Sequence, residues 1–243
     1  MYRGKKVAVV VPAYNEEALV GKVIEIMPKY VDRLYVVDDC STDQTATVVQ
    51  GFQESRLMLL RHSQNKGVGA AIVTGYRQAL KENMDLIAVM AGDHQMDPLE
   101  LPRLLDPVAD GLADYSKGDR LSRSELALGM SSWRKFGNNL LTLLTRISSG
   151  YWKLQDPQNG YAVISREALQ KIDLNEVYPS YGYCNDLLTK LNVLGMQVID
   201  VQIPARYGEE KSKIRYGNYM RKVSFLLLRN FIWRICHRYR AQK

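Results

Sequence analysis

The chain has 243 residues, 46% of them apolar, and carries a formal net charge of +7. That length suits one large α/β domain with a substantial core, and the apolar content is that of an ordinary globular protein. Cys40, Cys184 and Cys236 are widely separated and form no C-x-x-C pair, which speaks against a disulfide framework or zinc site and for a reducing compartment. The start is polar and basic, and the first apolar run ends at a proline, so no secretion signal is expected.

Strand and helix signals alternate through the first half. Val7–Val11 reads as a buried strand that stops at Pro12-Ala13-Tyr14-Asn15-Glu16, followed by a helix over Glu16–Pro28 with Asn15 as N-cap. Leu34–Val37 is a second strand, ended by Asp38 and Asp39. Ser41 and Gln44 then have capping-box spacing before a helix to about Glu54. Leu57–Leu60 is a third strand and Gly67–Glu82 a helix. Leu86–Met90 is a fourth strand running into Ala91-Gly92-Asp93, with Pro98 where a helix would begin and Asp97 as its cap. This order predicts a mostly parallel sheet flanked by helices.

The second half is less regular. Ser131–Ile147 places Trp133, Phe136, Leu140, Leu144 and Ile147 at helical spacing. That stripe fits core packing or a membrane surface. Tyr161–Ile164 reads as a strand, Asp186–Leu194 as a helix, Val198–Ile203 as a strand, Lys211–Tyr216 as a basic loop, and the chain from about Asn218 as helical.

Charge is uneven. Between Arg206 and Lys243 there are eleven basic and two acidic residues, a net of +9, which leaves −2 for the remainder. A basic tail attracts nucleic acid, anionic lipid or a phosphorylated substrate, or is simply a solvated helix face. Its longest apolar stretch, Val223–Trp233, would rise only ~16 Å as a helix, about half a hydrocarbon core. It is too short to span a bilayer. Arg221, Lys222, Arg229, Arg234, Arg238 and Arg240 would instead draw it to an anionic surface.

Acids gather at the strand ends. Residues 12–16, Asp38, Asp39 and Asp93 all fall at carboxyl ends of parallel strands, where open α/β sheets bind ligands. Carboxylates there can accept hydrogen bonds from a base or ribose, which points to a nucleotide held by those parts. Asp93 and Gln95, two apart in an extended segment, would face the same way and offer oxygen donors to Mg²⁺ or Mn²⁺, with a diphosphate completing the shell. His94 reads as a bystander.

Several segments in order, Val11-Pro12-Ala13-Tyr14-Asn15-Glu16, Val37-Asp38-Asp39-Cys40-Ser41-Thr42-Asp43, Asn65-Lys66-Gly67 and Gly92-Asp93-His94-Gln95-Met96-Asp97-Pro98, resemble the inverting family 2 glycosyltransferases of GT-A fold. The nearest branch in appearance is that of the dolichyl-phosphate mannose synthases and related polyprenyl-phosphate hexosyltransferases. Gly118-Asp119-Arg120, Trp133-Arg134-Lys135, residues 156–161, residues 182–186 and residues 207–213 extend the likeness over nearly the whole chain.

The resemblance implies roles residue by residue. Pro12, Ala13, Tyr14, Glu16, Asp38 and Asp39, with Lys66 and Gly67, would bind a UDP- or GDP-sugar. Asp93 and Gln95 would hold the metal. Arg120, Arg134 and Arg206 would face the acceptor phosphate, and Lys211, Ser212 and Lys213 would close over the phosphates. Asp156 and Asp186, with Asp93 and Arg120, would form the reacting centre. The implied organisation is a GT-A domain over 1–216 and a basic amphipathic interface helix over 217–243, working at the cytoplasmic face of a membrane. Related chains often continue into membrane-spanning helices beyond the basic loop. Two departures stand out. Ala91 replaces the first acid of an acid-x-acid metal pair, and Asn159-Gly160-Tyr161-Ala162 lacks a basic residue usual there.

A lipid phosphate monoester has a second pKa of about 6, so its attacking oxygen is largely anionic at pH 7 and a general base is dispensable. A transferase acting on a sugar or polysaccharide hydroxyl would instead need a carboxylate base, for which Asp186 is the candidate. A nucleotide-sugar binding module without turnover finds support only in Ala91. Nucleic-acid binding explains the basic tail but not the acidic strand ends, so nucleic acid is not expected as a partner.

Overall fold

The computed structural model describes residues 1–120, 132–204 and 216–241. Continuous apolar runs form strands buried on both faces, as parallel sheets covered by helices require. The strands are β1 (Val7–Ala13), β2 (Arg33–Asp38), β3 (Leu57–Arg61), β4 (Leu86–Val89), β5 (Tyr115–Asp119), β6 (Ala162–Ser165) and β7 (Val198–Gln202). The helices are α1 (Val20–Glu25), α2 (Thr45–Gln50), α3 (Val68–Lys81), α4 (Leu101–Ala109), α5 (Ser132–Ser149), α6 (Arg166–Lys171), α7 (Tyr183–Val193) and α8 (Tyr216–Ala241). A short 3₁₀ turn, Pro98–Glu100, precedes α4, and Asp97 caps it by accepting from the Leu99 amide at 2.9 Å.

One sheet runs β3-β2-β1-β4-β6-β5-β7. β1 pairs in parallel with β2 and β4, β2 with β3, and β5 with β7. β6 lies antiparallel between β4 and β5. All the strands except β6 therefore point one way, and their carboxyl ends share one edge. One face of the sheet packs Val10, Tyr35 and Val89 against Ile72 and Tyr76 of α3 and Leu187, Leu188 and Leu191 of α7. The other packs Val9, Val11 and Val36 against Val23 and Ile24 of α1 and Leu101, Leu104 and Leu105 of α4. α3 lies so close to β1 that a Cβ on Gly75 would collide with the Val10 side chain.

Several local expectations are corrected. The first helix is only six residues, beginning at Val20 rather than Glu16, and Asn15 is not its N-cap. Asn15 has φ +56° and its side chain accepts from the Thr42 amide at 2.8 Å, so it serves the loop instead. The Ser41/Gln44 capping box does not form. Ser41 Oγ accepts from the Asn15 amide, and Asp43 takes the Thr45 amide. β5 and α6 are additional elements. On α5 the face turned inward carries Leu141, Thr142, Thr145 and Ser148, whereas Leu140 is exposed. Small hydroxyl residues can be buried there because Thr145 donates to the Leu141 carbonyl and Ser148 to the Leu227 carbonyl.

α8 seats Val223, Leu226, Leu227 and Asn230 on the domain and packs against α5 and α7. Its opposite face exposes Phe225, Leu228, Ile232 and Ile235, at the i, i+3, i+7 spacing of one helical stripe. Arg234 is part-buried, and Arg229, although its side chain is 50% exposed, also reaches the domain. Arg229 pairs with Asp186, and Arg234 donates to the Ile147 and Ser148 carbonyls at the end of α5. No described helix is long and apolar enough to cross a membrane.

Candidate active site

The strand order reverses beside β1. The chain moves outward through β2 and β3, then returns to place β4 on the other side. The crevice outside the carboxyl ends of β1 and β4 is therefore the topological switch point where such sheets bind ligands. Pro12, Ala13 and Tyr14 line its start, and the Tyr14 ring is 42% exposed.

The loops after β1 and β2 are laced together. The Asn15, Glu16 and Glu17 amides donate to Ser41 Oγ, Thr45 Oγ1 and Asp43 Oδ2. In return the Thr42 and Gln44 amides donate to Asn15 Oδ1 and Glu17 Oε2. Asn15 and Cys40 hold left-handed φ values of +56° and +64°, a region non-glycine residues seldom occupy. Burial pushes the Asp43 carboxyl up, but bonds from Thr45 and Glu17 outweigh it and hold Asp43 below its ordinary value.

Asp38 and Asp39 build these walls. Asp38, fully buried, accepts from the Ser41 amide at 2.9 Å and pairs with Arg61 at 3.0 Å. Asp39, 3% exposed, accepts from the Lys66 and Gly67 amides at 2.8 and 2.7 Å and lies 2.7 Å from His62 Nδ1. His62 Nε2 in turn reaches Thr74 Oγ1 of α3 at 2.8 Å. Asp39 thus fixes the entry to α3 beside the crevice.

At the end of β4 the extended reading of Asp93 and Gln95 is overturned. His94 adopts φ +59°, and the Gln95 amide folds back onto Asp93 Oδ1 at 3.1 Å. A left-handed residue between them reverses the chain, so period-two geometry does not apply. The half-exposed Asp93 remains next to the β1 loop, because the Gly92 amide donates to the Pro12 carbonyl at 3.3 Å. Among the described residues no group of three His, Cys, Asp or Glu side chains gathers to hold a metal. A carboxylate with an amide oxygen donor nearby suits a hard cation that takes most of its shell from phosphates and water.

The second half brings a set of ion pairs to the same edge. Arg120 follows β5, and its Nε donates to Asp156 Oδ2 at 2.8 Å, with its amide at 3.3 Å from the same oxygen. Asp156 is 1% exposed, while the Arg120 side chain is well exposed. Lys117, wholly buried, donates its Nζ to the Asp156 carbonyl. Facing it across the β5–β7 register is Asp200, whose carboxyl is pushed up by burial against the opposing field of Lys117. Asp186, 1% exposed in the first turn of α7, pairs with Lys190 at 3.1 Å and Arg229 at 3.2 Å, and accepts from the Tyr178 amide at 2.9 Å. The next carbonyl, of Pro179, accepts from the Ala70 amide of α3 at 2.9 Å.

The structure therefore brings together Pro12, Ala13, Tyr14, Glu16, Asp38, Asp39, Lys66, Gly67, Asp93 and Gln95 on one side, and Arg120, Asp156 and Asp186 on the other. Arg134 falls within α5, but its side chain lies outside the described residues, as do Arg206, Lys211, Ser212 and Lys213. Lys190 stands at i+4 from Asp186 on one helix, a spacing the sequence offers, whereas Lys117, His62 and Arg229 carry no such signal. Only the folded partners reveal them.

The chain is similar to several known proteins. UDP-N-acetylglucosamine–dolichyl-phosphate N-acetylglucosaminyltransferase of Methanococcus voltae is 26% identical, the match covering 84% of this chain and 87% of the relative. Polyprenol monophosphomannose synthase of Mycolicibacterium smegmatis is 29% identical over 82% of this chain and 77% of its own length. Among solved structures, glucosyl-3-phosphoglycerate synthase of Mycobacterium tuberculosis, in complex with Mn²⁺, UDP and phosphoglyceric acid, superposes with a TM-score of 0.69. It shares 22% identity and covers 95% of this chain and 78% of that one. The fold is thus the GT-A-like α/β arrangement. Residues 8–173, more than half the sequence and every strand from β1 to β6, match the family described as Glycosyl transferase family 2, and the chain belongs to that family.

Proposed function

We propose that the protein transfers a hexose from a nucleotide-diphosphate sugar to a polyprenyl phosphate, with inversion, at a membrane surface. The observation that carries this reading is the state of its two buried candidate bases. Asp156 is committed to Arg120, and Asp186 to Lys190, Arg229 and the Tyr178 amide. Carboxylates so engaged hold and orient the cations beside them. That arrangement suits an acceptor that brings its own anionic nucleophile, as a phosphate monoester does. The names of relatives in Methanococcus voltae, Micrococcus luteus and Mycolicibacterium smegmatis support the same acceptor class.

In this reading Tyr14 and the laced β1–β2 loops receive the base and ribose, and Asp39 shapes the floor through Lys66 and Gly67. Asp93, with Gln95 beside it, would hold Mg²⁺ or Mn²⁺, and the M. tuberculosis structure with Mn²⁺ and UDP supports that cofactor. The bound metal supplies charge neutralisation for the departing diphosphate. Arg120, oriented by Asp156 from within the fold, presents its guanidinium to the acceptor phosphate and offsets repulsion between two anionic reactants. Arg134, Arg206, Lys211, Ser212 and Lys213 are proposed to add to this on the acceptor side.

The outer face of α8 is proposed to lie on an anionic bilayer. Phe225, Leu228, Ile232 and Ile235 supply the apolar contact, and the exposed Arg221, Lys222 and Arg238 complement lipid phosphates. The test is a screen of UDP- and GDP-sugars against a short polyprenyl phosphate with Mn²⁺. A lipid-linked sugar is expected. Transfer confined to sugar hydroxyls would overturn the acceptor, and donor binding without transfer to either class would leave a binding module.

A further inference from the structure

We propose that Arg229, on the tail helix α8, is a positioning residue for glycosyl transfer that acts through Asp186. This rests on the reading of the chain as a transferase. Arg229 donates from one terminal nitrogen to Asp186 Oδ1 at 3.2 Å, and its guanidinium carbon lies 5.7 Å from the centre of the Tyr178 ring. The other carboxylate oxygen, Oδ2, takes the Tyr178 amide at 2.9 Å and Lys190 at 3.1 Å. Arg229 therefore grips the acid and the ring of the residue whose amide that acid holds. A planar guanidinium can do both at once, and an ammonium supplies only the charge.

The grip continues toward the donor crevice. Tyr178 leads to Pro179, whose carbonyl accepts from Ala70 at the start of α3. A Cβ on Gly67 would lie 2.6 Å from that carbonyl oxygen, so glycine lets the two segments touch. The Gly67 amide in turn donates to Asp39 at 2.7 Å. An unbroken series of contacts thus joins the tail helix to the wall of the nucleotide crevice, with Asp186 in the middle. Lys190 does not duplicate Arg229, since it engages Oδ2 only and its ammonium lies 4.9 Å from the Trp233 ring centre. The seat of α8 does not depend on Arg229 either. Val223, Leu226, Leu227 and Asn230 are buried around it, and Arg234 binds the end of α5 separately.

The test compares Arg229→Gln, Arg229→Lys and Asp186→Asn in the full chain. Arg229→Gln is expected to lower kcat about tenfold or more while the donor KM moves by less than about threefold, the pattern of a misplaced group rather than lost binding. Arg229→Lys should recover only part of the loss, since an ammonium restores the charge beside Asp186 but not the planar contact with Tyr178. Hydrogen exchange at the Tyr178 amide should quicken in Arg229→Gln and in Asp186→Asn, with the double variant no faster than Asp186→Asn alone. Unchanged kcat in Arg229→Gln, or equal losses in the Gln and Lys variants accompanied by a lowered Tm, would overturn the proposal, as would additive exchange effects. The exchange measurement needs no substrate. Failure of the wild-type protein to transfer sugar would count against the transferase reading alone, and the exchange result would still decide whether Arg229 acts through Asp186.

Discussion

The two halves of the site are built by different means. The proposed donor side, on β1 to β4, is a lattice of backbone amides received by short side chains from loops about 27 positions apart. The proposed acceptor side, on β5, β6, α7 and α8, sets buried carboxylates against partly exposed arginines, with Arg120 and Asp156 separated by 36 positions and Asp186 and Arg229 by 43. Backbone lattices fix shape and suit a neutral base and ribose. Ion pairs anchored on buried carboxylates fix charge and suit a reaction between anions.

The sharpest way to break this contrast is at Asp93, the proposed metal ligand. Asp93→Ala should remove several kcal/mol of transition-state stabilisation, on the order of a thousandfold in kcat, and chelation with EDTA should match it in the wild type. Full activity in EDTA would end the metal's role. Next in size is Arg120→Gln, expected to lower kcat about a hundredfold with little change in nucleotide affinity. If nucleotide binding fell instead, Arg120 would belong to the donor side.

Replacing Phe225 and Leu228 together by serine should weaken partition onto anionic vesicles about thirtyfold, since each exposed apolar side chain contributes ~1 kcal/mol or more to such contact. Nucleotide titration of the same variant should be unchanged. Vesicle binding at wild-type level would move the membrane contact off α8. The smallest effect on turnover is expected from Asp39→Ala. Loss of the acceptor for two amides and His62 should cost about 1–3 kcal/mol of stability, read as a lower Tm, together with a raised donor KM at nearly constant kcat. A kcat loss as large as that of Arg120→Gln would erase the distinction between the two sides.

The same contrast explains what could be read in the sequence. The strands of the donor half are apolar runs covered on both faces, so Val7–Val11, Leu34–Val37 and Leu86–Met90 announced the sheet and its ligand edge. β5, Tyr-Ser-Lys-Gly-Asp, has one large apolar residue and a buried lysine, and no periodicity marks it. Lys117 is intelligible only beside the Asp156 carbonyl and Asp200. Local turn geometry was equally hidden. Asn15, Cys40 and His94 take left-handed φ values that glycine would have signalled, and at His94 this undid the inference that Asp93 and Gln95 point alike. Arg120, Asp156 and Asp186 are named by the resemblance alone, and their pairing with one another and with Arg229 is not legible, because ion pairs across 36 or 43 positions leave no spacing to detect.

The placement of β7 outside β5 has a consequence for how the molecule is completed during synthesis. β1 to β4 can pair as they emerge, each with a strand already made. β5 waits about eighty residues for β7 to cover its outer edge, a long loop closure that precedes its reward. Arg229 arrives later still. The proposed donor crevice can therefore take shape on a nascent chain well before the proposed acceptor side exists, and the open edge of β5 is the surface a chaperone would meet in between.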